Sequence, residues 1–186
     1  MIPAFVWVPF MAAGTFVILR TGLVMGLGLI MLIAAQVVAW ITLNWTGLFE
    51  NRNMRKALCK DLEVLKPHFR GFRAFVGFAS PSHSSMLDAH EDVGFLLLTP
   101  ETLEFIGDTR TIVVLHSQVF GVHFKANVHT LVGLGRWICI VGRIDGKPFE
   151  MRIEPRDRDT LLGNLLLGQD LKERVENWLK RSEPQA

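Results

Sequence analysis

Two histidines and three carboxylates crowd one stretch of this chain, where His83 and His90 stand beside Asp88, Glu91 and Asp92. Imidazole nitrogens and carboxylate oxygens are the usual ligands of Zn²⁺, and histidine moves protons near neutral pH. Their spacing matches no established ligand pattern, so the expectation for this stretch is a solvated polar loop. His116, His123 and His129 follow in strand-like and turn-like segments. At odd spacing on one continuous strand, His116 and His123 point to opposite faces. Ser82, Ser84 and Ser85 lack the G-x-S-x-G elbow of a serine nucleophile, and Gly133-x-Gly135 reads as a turn rather than a phosphate loop. The residues therefore predict no active site, no metal and no cofactor.

The elements around these residues divide sharply by charge. Arg20 is the only ionisable side chain before Glu50, and all 18 Asp and Glu lie at or beyond that residue. Ile2 to Leu19 and Leu23 to Leu43 are almost wholly apolar, and as helices they reach about 27 and about 32 Å against a hydrocarbon core of about 30 Å. The expectation is a transmembrane hairpin over residues 1–45, turning at Arg20, with the first helix kinked at Pro9. A cleaved signal peptide fits poorly, because no basic region precedes the apolar run and the run is too long. A single span made by the second run is the simpler alternative. Trp7, Trp40 and Trp45 fall where interfacial anchors belong. Gly22 with Gly26 and Ala35 with Ala39 offer small-residue packing faces, and Gln36, polar and deep in the run, should face protein.

Residues 46–71 form a basic connector. Arg52, Arg55, Lys56, Lys60, Lys66, Arg70 and Arg73 gather at or beside it, opposed by Glu50, Asp61 and Glu63. The positive-inside rule puts this side in the cytoplasm, and the cations are the expected membrane-surface contacts. Asn51 to Lys66 reads as an amphipathic helix with Met54, Leu58, Leu62 and Leu65 on its apolar face, ended by Pro67. It can lie on the following domain, on headgroups, or on both with different faces.

Residues 72–181 change to strand periodicity, with residues 182–186 as a tail. About seven short strands are expected, among them a hairpin around Pro100-Glu101 and another around Asp145-Gly146, a strong two-residue turn signal. Past Pro155 two helical stripes follow, Leu161, Leu162, Leu165 and Leu166, then Leu171, Val175, Trp178 and Leu179. Gly168 reads as a break between them and Asp170 as the cap of the second.

From Phe72 to Lys180 this order resembles the pleckstrin-homology superfold, especially its small GRAM-like and bacterial PH-like members. The resemblance rests on the Gly94-to-Phe105 hairpin, the Ile112-to-Leu115 strand, the Phe149-to-Ile153 strand and the terminal helix. It implies an α+β membrane protein: a helical hairpin, then a mainly β, partly open barrel closed by a C-terminal helix. Such domains bind lipids or protein segments and are not enzymes in themselves. Phosphoinositide binders of the family carry basic residues in the first strand and the loop after it. Here the Ala79-to-Asp92 loop has no Lys or Arg, which leaves Arg70 and Arg73 as nonspecific headgroup contacts.

The function expected is thus a nonenzymatic, membrane-anchored binding or scaffold protein at the cytoplasmic face of the inner membrane. Its partners are lipids or a protein. The alternative is an accessory subunit of a larger membrane complex, its small-residue faces packed on partner spans. A net charge of +2, without a Lys/Arg run interleaved with aromatics, argues against nucleic acid. Cys59 and Cys139, in no CxxC pattern, are expected to be reduced thiols.

Overall fold

The computed structural model describes residues 12, 15–16, 25–48, 50–83 and 90–181, and the chain divides into two units, Met1–Phe49 and Glu50–Ala186. In the first unit, α1 is Met25–Thr46, 22 residues without a charged side chain. At 1.5 Å per residue it is about 33 Å long, enough to cross a bilayer. Leu29, Ile30, Ile33, Val37 and Ile41 are exposed along it. Thr42 and Thr46 donate their hydroxyls back to the carbonyls of Val38 and Thr42, at 2.7 Å each, so neither hydroxyl stands open in an apolar helix. Among the described residues one helical stretch, beginning at Gly28, is long and apolar enough to cross, with a mean hydropathy of 1.7. Trp7, Pro9, Arg20 and Gly22 lie outside the described residues, and with them most of the first half of the expected hairpin.

The second unit opens with α2, Asn51–Leu65, whose preceding Glu50 takes a left-handed φ of 67°. The Lys66 N–H closes its last turn on the Leu62 carbonyl, and Pro67 cannot continue it. The strands are β1 (Phe72–Ala79), β2 (Asp92–Leu98), β3 (Thr102–Gly107), β4 (Thr111–Leu115), β5 (Val119–Lys125), β6 (Trp137–Ile144) and β7 (Lys147–Pro155). They form one antiparallel sheet in the order β4-β3-β2-β1-β7-β6-β5, with β4 and β5 at its edges. Asp145 and Gly146, with φ of 51° and 76°, make the β6–β7 turn that the sequence predicts. The chain is therefore α+β: two helices, a seven-stranded open antiparallel sheet and a C-terminal helix.

Antiparallel strands commonly leave one face in water, but β1 and β2 are buried on both faces over most of their length. On one face Val76, Phe78, Leu96, Ile140, Met151 and Ile153 pack against α3 (Leu161–Arg181) through Leu171, Val175 and Trp178. On the other, Phe75, Val93, Phe95 and Leu97 pack against Leu58, Cys59 and Leu62 of α2. The near-continuous apolar runs of β1 and β2 follow from this double cover.

Three expectations need correction. The helix α3 is continuous, so Gly168 is no break and Asp170 no cap; Asp170 accepts from Arg174 one turn on, at 2.9 Å. A glycine costs a helix interior only about 1 kcal/mol, which the buried flanking side chains offset. The helix is instead fixed at its start by buried Asn164, whose Oδ1 accepts the Arg158 N–H (2.8 Å) while Nδ2 donates to the carbonyls of Arg158 (2.8 Å) and Thr160 (2.9 Å). Second, Leu162 and Leu166 are exposed rather than part of a buried stripe. The 3₁₀ turn His116–Gln118 lies between β4 and β5, where the strand boundaries read from the sequence leave room for it, so His116 and His123 belong to different elements. Third, the apolar stripe of α2 divides: Leu58 and Leu62 face the sheet, while Met54 and Leu65 are exposed. Hydrogen bonds from Asn51 and Arg55, described below, turn the buried face toward Cys59.

Candidate functional site

The cations expected to meet a membrane surface belong to α2 and the turn into β1, and the structure sorts them by what they touch. Buried Asn51 donates Nδ2 to the Arg156 carbonyl at 2.7 Å and accepts from Arg156 Nε at 3.0 Å, tying the first turn of α2 to the end of β7. One turn on, Arg55 Nη1 donates to the Asp157 carbonyl and lies 4.0 Å from its carboxylate. Lys66 pairs with Glu104 of β3 at 2.9 Å. These contacts position the helix. Arg52, Lys56, Lys60, Arg70 and Arg73 are exposed and form no ion pair among the described residues. At i, i+4 and i+8, Arg52, Lys56 and Lys60 share one flank of α2.

Beside that flank is a cleft of about 290 Å³, lined by Arg55, Lys56, Cys59, Arg73, Phe95 and Asp157. Asp157 Oδ2 accepts the Phe75 N–H at 3.2 Å. Burial pushes this carboxyl above its ordinary range, against the Phe75 hydrogen bond and the nearby Arg55, Arg158 and Arg73 charges.

Of the seven cations the sequence singles out, Arg55 and Lys66 pair with Asp157 and Glu104, and the other five are exposed without an ion pair among the described residues. In α1, Trp40 and Trp45 are exposed, Ala35 is buried, Ala39 is half-buried and Gln36 is exposed. Gly26 lies in α1.

The histidines are placed otherwise than a solvated loop predicts. His90 is buried with its Nε2 3.1 Å from Glu154 Oε2, and His129 Nδ1 lies 3.0 Å from the same oxygen. Asn127 Nδ2 donates to it as well, at 3.1 Å. The His90 ring meets Trp137 edge-on at 5.2 Å. Burial alone would raise the Glu154 carboxyl, but hydrogen bonds from His129 and His90 and their charge outweigh it and hold it at about 2. Burial also holds the His90 imidazole below its ordinary range, against the pull of Glu154. Glu154 is therefore ionised at neutral pH, and burial holds His90 toward its neutral form with Nε2 beside the carboxylate.

Glu154 is 4% exposed and His90 8%, which leaves a substrate no surface to approach. The cluster joins the end of β7, the start of β2 and the 3₁₀ turn Val128–Val132. The two flanking carboxylates are structural too. Asp92 accepts backbone N–H groups from Val93, Asp108, Thr109 and Arg110, and so shapes the β3–β4 turn. Glu91 accepts from Ser80 and Arg110 and lies 3.6 Å from His83. Asp88, Ser84 and Ser85 lie outside the described residues. Among the described residues no group of three or more His, Cys, Asp or Glu is placed to hold a metal ion.

Sequence reading missed the convergence of His90, His129 and Glu154. The available signal was two glycines: a Cβ at Gly77 would come within 1.9 Å of the His90 ring, and one at Gly135 within 1.9 Å of Glu154 Oε1.

No protein-family model matches the chain, and no curated protein matches it.

Proposed function

We propose that this chain is a nonenzymatic, membrane-anchored binding protein whose sheet domain meets anionic headgroups at the cytoplasmic face. The observation that carries the reading is the exposed row Arg52, Lys56 and Lys60 with Arg70 and Arg73, without an ion pair among the described residues, in a segment that starts five residues after the apolar helix Met25–Thr46 ends. A cation near an anionic leaflet contributes about 1 kcal/mol, so five such residues make a useful, salt-sensitive attraction. The helix α1 supplies the anchor.

The strand order supports a PH-like domain: β1 pairs with both β2 and β7, and a C-terminal helix packs on one face of the sheet. The α2 helix on the opposite face adds to that plan and carries the basic row.

The test is trypsin cleavage of the full chain in lipid nanodiscs, read at Arg52, Lys56 and Lys60. Phosphatidylglycerol should slow cleavage relative to phosphatidylcholine alone, and salt should restore it. Equal rates in both lipids would overturn the reading, and a stoichiometric membrane partner co-purifying in mild detergent would favour the accessory-subunit alternative. A cysteine at Ser82 that labels from outside intact cells would overturn the inward orientation.

A further inference from the structure

The geometry points to the cleft between α2 and β1 as a binding site for the phosphate of an anionic phospholipid, held by Arg73, Lys56 and Arg55. This rests on the membrane-surface reading and narrows it from a charged face to one pocket. Three cations and one carboxylate line the cleft, so a positive excess remains even with Asp157 ionised. Asp157 is already committed: its Oδ2 accepts the Phe75 N–H, and its carbonyl accepts Arg55 Nη1. Lys56 and Arg73 are exposed, make no ion pair among the described residues, and stand on two different elements, the helix and the first strand. A guanidinium presents paired N–H groups that match two phosphate oxygens, and an ammonium adds a point charge.

Phe95, 5% exposed, and Cys59 form the apolar part of the wall. An anion there is consequently less well solvated than on an open surface, and its attraction to the cations is stronger. At about 290 Å³ the cleft falls just below the roughly 300–1,000 Å³ of sites for drug-sized ligands. It suits a headgroup whose acyl chains stay in the bilayer. The β1–β2 connection from Ala79 to Asp92 carries no Lys or Arg, whereas the cleft brings its cations together against β1 and β2 at Arg73 and Phe95.

Cys59 supplies a native reporter, because it lines the cleft and is partly exposed while Cys139 is buried. The full chain is placed in nanodiscs of phosphatidylcholine with or without phosphatidic acid, and the rate of Cys59 modification by a maleimide is measured. A cleft about nine-tenths occupied should slow modification about tenfold. Combined Lys56→Gln and Arg73→Gln should abolish that protection, while combined Arg143→Gln and Lys147→Gln, two exposed cations at the β6–β7 turn outside the basic row, should retain it.

Protection that survives the first pair and vanishes with the second would place the lipid elsewhere and overturn the site. Equal protection by soluble glycerol phosphate in phosphatidylcholine discs would overturn the lipid as the source of the phosphate. If anionic lipid slows trypsin at the basic row yet leaves Cys59 unprotected, the cleft fails while the membrane-surface reading stands. If neither changes, both fail.

Discussion

His90 and Glu154, 64 positions apart in sequence, meet with Nε2 3.1 Å from Oε2, both side chains nearly sealed from water. The strand register produces the meeting: Glu154 lies opposite Gly77 in the β1–β7 ladder, and Phe78, the next residue of β1, lies opposite Asp92 in the β1–β2 ladder. His90 therefore enters just before β2, over a glycine whose missing Cβ makes the room.

This pair sets an acid sensitivity. His90 is held below its ordinary 6.5 by burial, so the unfolded chain takes up a proton first and stability falls as pH drops below about 6.5. Glu154, at about 2 against 4.5, adds stability that is complete above 4.5 and lost as pH falls toward 2. Glu91 and Glu150, both lowered, act in that same acidic range. Raised Asp157 has the opposite sign and gains on acidification. The thermal midpoint of the sheet domain in the full chain should decline from about pH 7 to about pH 5, and His90→Gln should flatten that limb. An unchanged slope in the variant would exclude His90 as its source.

The glycines divide into two kinds. Gly77→Ala and Gly135→Ala each drive a methyl to within 1.9 Å of His90 or Glu154, and each should cost about 1–3 kcal/mol in chemical denaturation. Gly168→Ala, in α3 with nothing within 4 Å of the new Cβ, should stabilise by about 0.5–1 kcal/mol. A destabilised Gly168→Ala would mean that the helix needs the glycine for a reason other than space.

Docking of α2 on the sheet combines polar contacts at Asn51 and Arg55 with apolar ones at Leu58, Cys59 and Leu62, and Asn51 and Leu62 test one of each kind. Asn51→Ala strands the Arg156 carbonyl and guanidinium of their partner and should cost about 1–3 kcal/mol. Leu62→Ala, at a residue 3% exposed, should cost about 2–5 kcal/mol. Hydrogen exchange over Asn51–Leu65 should quicken in both variants. Protection as in the parent chain would show the helix held by other contacts.

The two thiols should separate cleanly. Burial, with Glu150 nearby, pushes Cys139 up to about 11, so little thiolate forms at neutral pH. Titration of the folded chain with a thiol reagent should count Cys59 alone, and the unfolded chain both. Rapid modification of both in the folded chain would contradict a closed β6 face.

Trp178 ties α3 to the β2–β3 turn by donating Nε1 to the Thr99 carbonyl at 2.5 Å, while His116 meets its ring edge-on at 4.5 Å. Trp178→Phe retains most of the apolar area and loses the hydrogen bond, so a cost of about 1–2 kcal/mol is expected in thermal unfolding. A neutral result would mean that water takes the place of the indole at Thr99.

What the sequence determined by itself was everything that depends on neighbours along the chain. The apolarity of Met25–Thr46, the alternation of Thr102–Gly107 and the Asp145-Gly146 turn are each legible because dihedral preference and periodicity act over a few residues. The exposed cations of α2 were legible for the same reason, since charge density is local. Tertiary structure alone decided which cations remain unpaired, because Asp157 and Glu104 reach Arg55 and Lys66 only after the sheet forms. It also decided the rotation of α2, the continuity of α3 through Gly168, and the burial of a histidine that composition assigns to solvent. In each case the deciding energy is packing or hydrogen bonding between residues distant in sequence, and no local pattern encodes that register.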